Sequence, residues 1–412
     1  MKCSRGARIC MLLLPALLAG CTGPDAHVVE VTLAEASAAN PTVAVDDRTG
    51  IAYAAWIETA EDGSNVYLAR IDSGGRTPPV RVNDIAGDAA PHDQAPPQVA
   101  TGPDGSVYVV WQNNTIVEGR HFPASNLRFA RSSNGGRSFE PAMFVNDDAL
   151  GPPSSHTFHD VAVAGDGTIH VSWIDGRART RAEAEAGGTG MHDGDESMPG
   201  SEIRVASSHD GGRTFSTGVV VHRNACPCCR TSLAVSGDTA VAVAFRSAEA
   251  NIRDMLVVRS TDGGKTFGQP VRVHADAWVI DGCPHAGGSL AYDTQGRLHI
   301  AWYTGAEERQ GLWHAVAPGG GTFGEPTAIQ AGGWVPVSQV KLTPARDGSV
   351  WVAWDDRRGE ESLIRVAMWT PQGMADPVVV GRGRSPAVAA GENVIVSWQQ
   401  DQAVLAGLLS PP

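Results

Sequence analysis

Short apolar segments alternate with polar turns along most of this chain, and the same arrangement recurs seven times. In each repeat one apolar segment ends in an aromatic residue, and its length and composition predict the second strand of a small antiparallel sheet. These segments are Ile51–Trp56, Val107–Trp111, Ile169–Trp173, Ala240–Phe245, Leu298–Trp302, Val350–Trp354 and Val394–Trp398. Successive copies lie 44 to 72 residues apart, a spacing that suits a four-stranded propeller blade and exceeds the period of helical repeats.

The last repeat lacks one strand. It offers Ala387–Ala390, Val394–Trp398 and Ala403–Leu408, whereas the other repeats offer four segments. Val28–Leu33 alternates like a strand, and pairing it with the last repeat would remove two sheet edges. The pattern therefore predicts an all-β fold: a β-propeller of seven four-stranded blades, closed by an N-terminal strand, in one domain over residues 28–412.

The composition favours the same fold class. The 412 residues include 48 Gly and 26 Pro, which indicate many turns, and a helical bundle would need far more Glu, Lys and Leu. The formal net charge of −13 argues against nucleic acid as a partner.

The first twenty residues have the pattern of a signal peptide. Lys2, Arg5 and Arg8 precede the apolar run Ile9–Leu18. This run is too short to span a bilayer but has the length of a signal-peptide core. We therefore expect residues 1–20 to be removed from the mature chain.

Cys21 follows Leu18, Ala19 and Gly20, and this tetrapeptide resembles the bacterial lipoprotein signal. The resemblance implies cleavage before Cys21, lipid attachment to that residue and a tether over residues 21–27, so the chain would be anchored to a membrane. Thr22 rather than Asp follows the cysteine, which implies the outer membrane, facing the periplasm. An ordinary secretory signal followed by a chance cysteine is the alternative.

Three hairpins share one sequence pattern: Ser132–Phe139, Ser208–Phe215 and Ser260–Phe267. They resemble the Asp-box, or BNR repeat, of sialidase-like β-propellers. In such a turn an Asp or Asn side chain accepts hydrogen bonds from nearby backbone N–H groups, and glycines take positive φ. The resemblance implies this structural role for Asn134, Asp210 and Asp262, on the face away from the active site. Because catalytic sialidases have six blades, it also leaves a six-bladed propeller as an alternative.

Thiol and imidazole groups recur at matching positions in repeats two to five. In a propeller, the loops that enter the innermost strands open on one face, around the mouth of the central channel. We aligned these repeats on the first apolar residue of the innermost strand: Val99, Val161, Leu233 and Leu290. Seven residues earlier lie His92, Ser154, Cys226 and Cys283, five residues earlier lie Gln94, His156, Cys228 and His285, and Cys229 and His159 fall between.

This convergence predicts a metal site at the channel mouth. Sulfur and nitrogen donors suit Cu(I) or Zn(II), and the candidate ligands are His92, His156, His159, Cys226, Cys228, Cys229, Cys283 and His285. Met and His in the loop Met191–Met198 would favour copper, while Asp193, Asp195 and Glu196 leave a calcium contact open. The predicted function is metal storage, delivery or sensing in the cell envelope.

Disulfides are an alternative for the same cysteines. Once Cys3 and Cys10 are removed and Cys21 is lipidated, four cysteines remain in an oxidising compartment. A bond between Cys226 and Cys283 would join neighbouring blades. That alternative describes a disulfide-braced scaffold that binds other envelope proteins.

The resemblance to sialidases implies a third reading, an exo-glycosidase acting on acidic sugars. In that family three arginines hold the substrate carboxylate, an Asp is the acid/base and a Tyr activated by Glu is the nucleophile. The matching candidates are Asp175, Arg177, Arg246, Tyr303, Glu307 and Arg358. The family's Arg-Ile-Pro motif is absent, and Asp–Arg pairs also brace neighbouring blades. We therefore expect a binding protein before an enzyme.

Overall fold

The computed structural model describes residues 28–72, 75–119, 123–185 and 199–409. The predicted signal peptide, Cys21 with its tether, and the loop Met191–Met198 lie outside the described residues.

Seven antiparallel sheets form the seven blades of a β-propeller. The first described strand is β1 (Val28–Ala34). Blade one contains β2 (Ala38–Val45), β3 (Ala52–Ala60), β4 (Gly63–Asp72), β5 (Gly75–Arg76) and β6 (Val80–Arg81). Blade two contains β7 (Gln98–Thr101), β8 (Val107–Thr115), β9 (Ala124–Ser132) and β10 (Met143–Phe144). Blade three contains β11 (His156–Val163), β12 (Ile169–Asp175), β13 (Ser201–Ser208) and β14 (Val219–Ala225).

The remaining blades repeat this order from the channel outward. Blade four contains β15 (Ser232–Ser236), β16 (Ala240–Arg246), β17 (Met255–Ser260) and β18 (Val271–Arg272). Blade five contains β19 (Ser289–Tyr292), β20 (Leu298–Thr304), β21 (Gly311–Ala317) and β22 (Thr327–Ala331). Blade six contains β23 (Val340–Pro344), β24 (Val350–Asp356), β25 (Leu363–Thr370), β26 (Gly373–Met374) and β27 (Val378–Arg382). Blade seven contains β28 (Arg384–Ala390), β29 (Val394–Gln400) and β30 (Ala403–Leu409).

Helical structure is minor in the described residues. Helix α1 (Arg177–Glu185) follows β12, and a short 3-10 turn spans Glu249–Asn251. No helix in the described part of the chain is long and apolar enough to cross a membrane.

The N-terminal strand closes the ring, as predicted. Strand β1 pairs antiparallel with β30, with Val28 opposite Leu409 and Thr32 opposite Leu405. It is the outermost strand of blade seven, which therefore reaches the four strands of the prediction. The innermost strands β28 and β2 contact each other, so the first and last blades of the chain are neighbours.

The hydrophobic core is divided among the seven contacts between neighbouring blades. Each contact contains its own cluster of buried side chains. The aromatic residue that marks each predicted second strand is at most 1% exposed and belongs to one of these clusters. Burying these aromatic side chains removes a large apolar area from water and so stabilises the ring.

The two faces of the propeller differ in their turns. On one face, the loop before an innermost strand contacts the end of the second strand: Gly176 N–H donates to Ser155 O at 2.8 Å. The hairpins that resemble the Asp-box follow β9, β13 and β17, at the opposite face. In the second of them, Asp210 Oδ1 accepts the N–H groups of Arg213 and Thr214 at 2.9 and 3.0 Å.

These hairpins also dock against the preceding blade. Gly212 has a φ of +83°, and a Cβ added there would lie 2.4 Å from the ring of Phe129 in blade two. Asn134 and Asp262 accept the corresponding backbone N–H groups in their own turns. The turn sequence therefore fixes both a backbone conformation and a contact between blades.

Strand β1 offers a test of ring closure. Leu33 is 1% exposed in the cluster between blades seven and one, whereas Val29 on the same strand is 51% exposed. We expect Leu33→Ala to lower the free energy of unfolding by about 2–5 kcal/mol because it leaves a cavity. Val29→Ala, the matched control, should change it by less than about 0.5 kcal/mol. Urea denaturation measures both, and equal effects would contradict this account of closure.

Candidate metal centre

Two loops carry the cysteines, and both enter innermost strands on the same face. The first follows β14 and enters β15, and it begins with Cys226, whose N–H donates to Arg246 O at 2.8 Å. Further along, Thr231 N–H donates to Phe158 O at 3.0 Å. The second loop follows β18 and enters β19, and it contains Cys283 and His285. The topology therefore brings the two loops to the channel mouth, as the alignment predicted.

The sulfurs of the first loop lie in contact. Cys226 Sγ is 3.5 Å from Cys228 Sγ and 3.6 Å from Cys229 Sγ, and all three residues are buried. Ligands on a tetrahedral zinc with Zn–S bonds of about 2.3 Å are about 3.8 Å apart. The three sulfurs thus have the spacing of ligands to one ion.

Cys228 also belongs to a second group of donors. Its sulfur, Cys283 Sγ and a ring nitrogen of His285 all lie within 4.8 Å of one another. Cys283 and His285 are exposed, in contrast to the buried thiols of the first loop. Five donors from two loops therefore converge around Cys228.

None of these four cysteines forms a disulfide in the described structure. The sulfur separations of 3.5 and 3.6 Å are far beyond a disulfide bond of about 2.05 Å. The bridge between Cys226 and Cys283 that the sequence suggested is thus absent, because the first cysteine contacts its own loop neighbours.

The pKa values of the three contacting thiols are shifted in opposite directions. Hydrogen bonding with Cys228 and Cys229 lowers the pKa of Cys226 to about 3. The same contact with Cys226 raises the pKa of Cys228, and burial raises the pKa of Cys229 to about 12. A metal cation that bound these sulfurs would displace their thiol protons.

A glycine lets the two loops approach each other. A Cβ on Gly287 would lie 2.6 Å from the backbone oxygen of Arg230, so the backbones of the two loops touch directly. Arg246, 1% exposed, donates to Ala286 O at 2.7 Å and to Tyr303 O at 2.8 Å. This guanidinium ties the end of β16 to the second loop.

A second arginine connects the loops of three blades. Arg230 donates to Gln339 Oε1 at 2.8 Å and to Val340 O at 2.9 Å. Gln339 Nε2 in turn donates to His285 O at 2.9 Å. His285 has a φ of +49°, a left-handed conformation that is uncommon outside glycine. The network holds its backbone in this conformation beside the cysteines.

His92 lies across the mouth from these donors. Its ring centroid is 6.3 Å from that of His285 and 5.0 Å from that of Phe158, which it meets edge-on. His92 Nδ1 accepts the N–H of Gln94 at 3.0 Å, and burial lowers the pKa of His92. It is near the centre but outside both donor groups found among the described residues.

The structure does not bring His156 and His159 to the cysteines. His156 Nδ1 is 2.8 Å from Ser125 O, and its Nε2 is 3.0 Å from Asp148 Oδ1. His159 Nε2 is 3.0 Å from Val110 O. Both residues are at most 1% exposed and contact blade two or the loop that follows it. The matched offsets were therefore misleading for these two candidates.

A cavity of about 570 Å³ opens beside His92 and His285 at the channel mouth. Its lining is mostly polar and includes His92, Gln94, His285, Gln339, Arg357 and Arg384. His285, one of the five donors, therefore borders this cavity.

The arginines predicted to hold a sugar carboxylate have partners within the protein. Arg177 Nε is 2.9 and 3.0 Å from the two carboxylate oxygens of Asp175, which is fully buried. Arg358 forms two hydrogen bonds of 2.9 Å with Asp356. Arg246 binds backbone carbonyls, as described above. None of these three arginines is among the residues that line the described cavity.

The predicted nucleophile is also engaged elsewhere. Tyr303 is 2% exposed and its hydroxyl donates to Val335 O at 2.9 Å. Burial raises the pKa of Tyr303, and Gln310 Nε2 is 3.4 Å from its hydroxyl oxygen. Glu307 is exposed. Sialidase activity stays a prediction. The contacts described here do not bring the predicted arginines, Tyr303 and Glu307 together in one site.

Sequence comparisons identify no relative, because no family profile and no curated protein matches the chain. Solved structures do. An ulvan lyase of polysaccharide lyase family PL25 has a TM-score of 0.59 at 14% identity, over 93% of this chain and 96% of the lyase. A protein of unknown function from Dyadobacter fermentans has a TM-score of 0.52 at 14% identity, over 94% of this chain and 100% of that protein. A Hadza microbial sialidase has a TM-score of 0.51 at 15% identity, over 86% of this chain and 76% of the sialidase.

Identities this low establish the fold alone. The chain has a β-propeller fold similar to those of the ulvan lyase and the sialidase, and its seven blades come from its own sheet topology.

Gly287 provides a test of loop contact. Gly287→Ala places a methyl group against the Arg230 backbone, and we expect overpacking to lower the free energy of unfolding by about 1–3 kcal/mol. Gly268→Ala is the matched control, because its added Cβ would be 3.7 Å from the nearest atom. Thermal melting of both variants measures the difference. Equal melting temperatures would show that the close approach does not constrain the loops.

The pH dependence of stability tests whether the buried imidazole of His159 is neutral. Burial lowers the pKa of His159 to about 4 from 6.5, so below pH 6.5 the unfolded chain binds more protons than the folded one. Stability should therefore fall as the pH drops from 6.5 towards 4. We expect His159→Gln to destabilise the protein less at pH 5 than at pH 7. Urea midpoints at both pH values measure this, and an equal loss at each would contradict a neutral, buried imidazole.

Proposed function

We propose that this chain is a lipid-anchored protein of the bacterial cell envelope that binds a thiophilic metal at the mouth of its propeller channel. The observation that supports this most is the contact among three buried sulfurs, at 3.5 and 3.6 Å, beside a fourth thiol and an imidazole. Buried thiols at these separations, without disulfides, match the donors of a metal site.

The donor chemistry favours copper(I), with zinc(II) as the alternative. One donor group contains three sulfurs and the other contains two sulfurs and an imidazole nitrogen, and neither contains a carboxylate, which argues against calcium. The first loop offers three thiols to one ion, and soft thiolate ligands favour copper(I). Structural zinc takes four ligands.

The proposed setting follows from the sequence. With a lipid on Cys21, the protein would lie at the outer membrane, facing the periplasm. Cys283 and His285 are exposed at the mouth, where another envelope protein or a small ligand has access to a bound metal. Metal storage or delivery is consistent with this exposure.

An exo-glycosidase is the second candidate function. Its support is the likeness in fold to a sialidase and the polar cavity at the channel mouth. Turnover of a fluorogenic sialoside tests it, with Tyr303→Phe as the variant. Absent turnover, or turnover that the substitution leaves unchanged, would remove this candidate.

Metal analysis tests the main proposal. We expect protein purified without chelators to retain copper or zinc at one or more ions per chain. Cys228→Ser should remove most of this metal, and His285→Ala should reduce it. His209→Ala is the matched control, because this exposed histidine lies in a hairpin at the opposite face. Mass spectrometry of the digested protein counts the ions.

The proposal is wrong if the parent protein retains neither metal, even after reduction of its thiols and anaerobic addition of cuprous ion.

A further inference from the structure

The five donors at the channel mouth fall into two groups that share one residue. We name Cys226, Cys228 and Cys229 the inner group, and Cys228, Cys283 and His285 the outer group. Within each group, every pair of donor atoms is within 4.8 Å. Two sulfur ligands on a tetrahedral ion with bonds of about 2.3 Å are about 3.8 Å apart. The inner sulfurs, at 3.5 and 3.6 Å, have this spacing. The outer donors, within 4.8 Å of one another, need only small side-chain movements to bind one ion.

The two groups do not merge into one. Neither Cys283 nor His285 lies within 4.8 Å of all three inner donors, because otherwise it would join their group. A single ion that bound the three inner sulfurs would thus leave at least part of the outer group without metal. Cys228 alone has access to both positions.

We propose that the site holds two thiophilic cations, bridged by the thiolate of Cys228. This inference depends on the proposed metal-binding function and specifies its stoichiometry. The inner ion binds Cys226, Cys228 and Cys229, and the outer ion binds Cys228, Cys283 and His285. Each cysteine releases its thiol proton to solvent on binding, and no change of oxidation state is involved.

Charge balance permits the second ion. One cuprous ion on the three thiolates of the inner group leaves a net charge of −2, with the Cys283 thiol still protonated. A second cuprous ion that displaces the Cys283 proton leaves the net charge at −2. A buried anionic group is costly unless it is compensated. The buried guanidinium groups of Arg230 and Arg246 interact electrostatically with Cys229, which helps to compensate the remaining charge.

The two positions differ in exposure and in how they are built. The inner thiols are at most 5% exposed and belong to one short loop. The outer group joins two loops, has exposed ligands, and faces the cavity through His285. We therefore assign retention of metal to the inner position and exchange with solution to the outer position.

Stoichiometric loading tests the two-ion site. Reduced, metal-free protein is titrated anaerobically with cuprous ion and desalted, and bound copper is counted per chain. We expect two ions in the parent and in His209→Ala, and one ion in Cys229→Ser, Cys283→Ser and His285→Ala. Cys228→Ser should retain none, because it leaves two donors on each side. Circular dichroism and thermal melting establish that each variant is folded.

The number of copper ions bound by the parent protein and by Cys228→Ser separates the two-ion inference from the proposed function. One ion in the parent protein would overturn the two-ion inference and leave the proposed function in place, whereas no ion would overturn both. One or two ions in folded Cys228→Ser would contradict the bridge.

Removal of copper by a chromogenic cuprous chelator tests the order of exchange. We expect two phases of equal amplitude in the parent, with only the slower phase in Cys283→Ser and only the faster in Cys229→Ser. Gly287→Ala should weaken the outer ion selectively, because it separates the loops without removing a donor, and Gly268→Ala should behave as the parent. A single phase in the parent would contradict the assignment of inner and outer roles.

Discussion

Apolar packing between neighbouring blades is the interaction on which the channel mouth depends. Each blade buries side chains against the next, and among the described residues each of the seven apolar clusters spans two neighbouring blades. The innermost strands are consequently fixed around the channel, and the loops that enter them must meet. Cys226 and Cys283 are separated by 57 residues of sequence, yet their loops touch because blades four and five are adjacent. The donor geometry is therefore a product of the ring.

The sequence pattern was sufficient to predict the fold. The aromatic residues that end the second strands are buried between blades, so selection for packing produced a visible period. The missing strand of blade seven could be assigned because β1 alternates and an open sheet edge is unfavourable. The short extra strands β6 and β27 could not be predicted, since two-to-five-residue pairings at a blade edge bury little and have a weak pattern.

The alignment of loops succeeded for the cysteines and failed for two histidines, and the reason is local. Strand β11 changes register between Thr157 and Asp160, and Phe158 within it has a φ of +56°. Such a bulge turns the neighbouring side chains to other faces of the strand. The number of residues between a side chain and the first apolar residue of the innermost strand therefore no longer predicts which way that side chain points. His156 and His159 therefore contact blade two.

One further position of these loops is informative. Three residues before the equivalent apolar residues of blades four, five and six lie Arg230, Gly287 and Gln339. These three residues hold the loops together. Because they are an arginine, a glycine and a glutamine, their common position could not be recognised from residue type.

The pairing of Val28 with Leu409 has a consequence for orientation. Strand β1 begins at the face of the Asp-box-like hairpins and runs towards the face that carries the cysteines. Seven residue steps separate Val28 from Cys21, which is about 25 Å of fully extended chain. If Cys21 bears a lipid, a tether of this length holds the face with the Asp-box-like hairpins nearest the bilayer. The channel mouth with the cysteines is then directed away from the lipid headgroups, where ions and proteins that diffuse in the surrounding compartment can reach it.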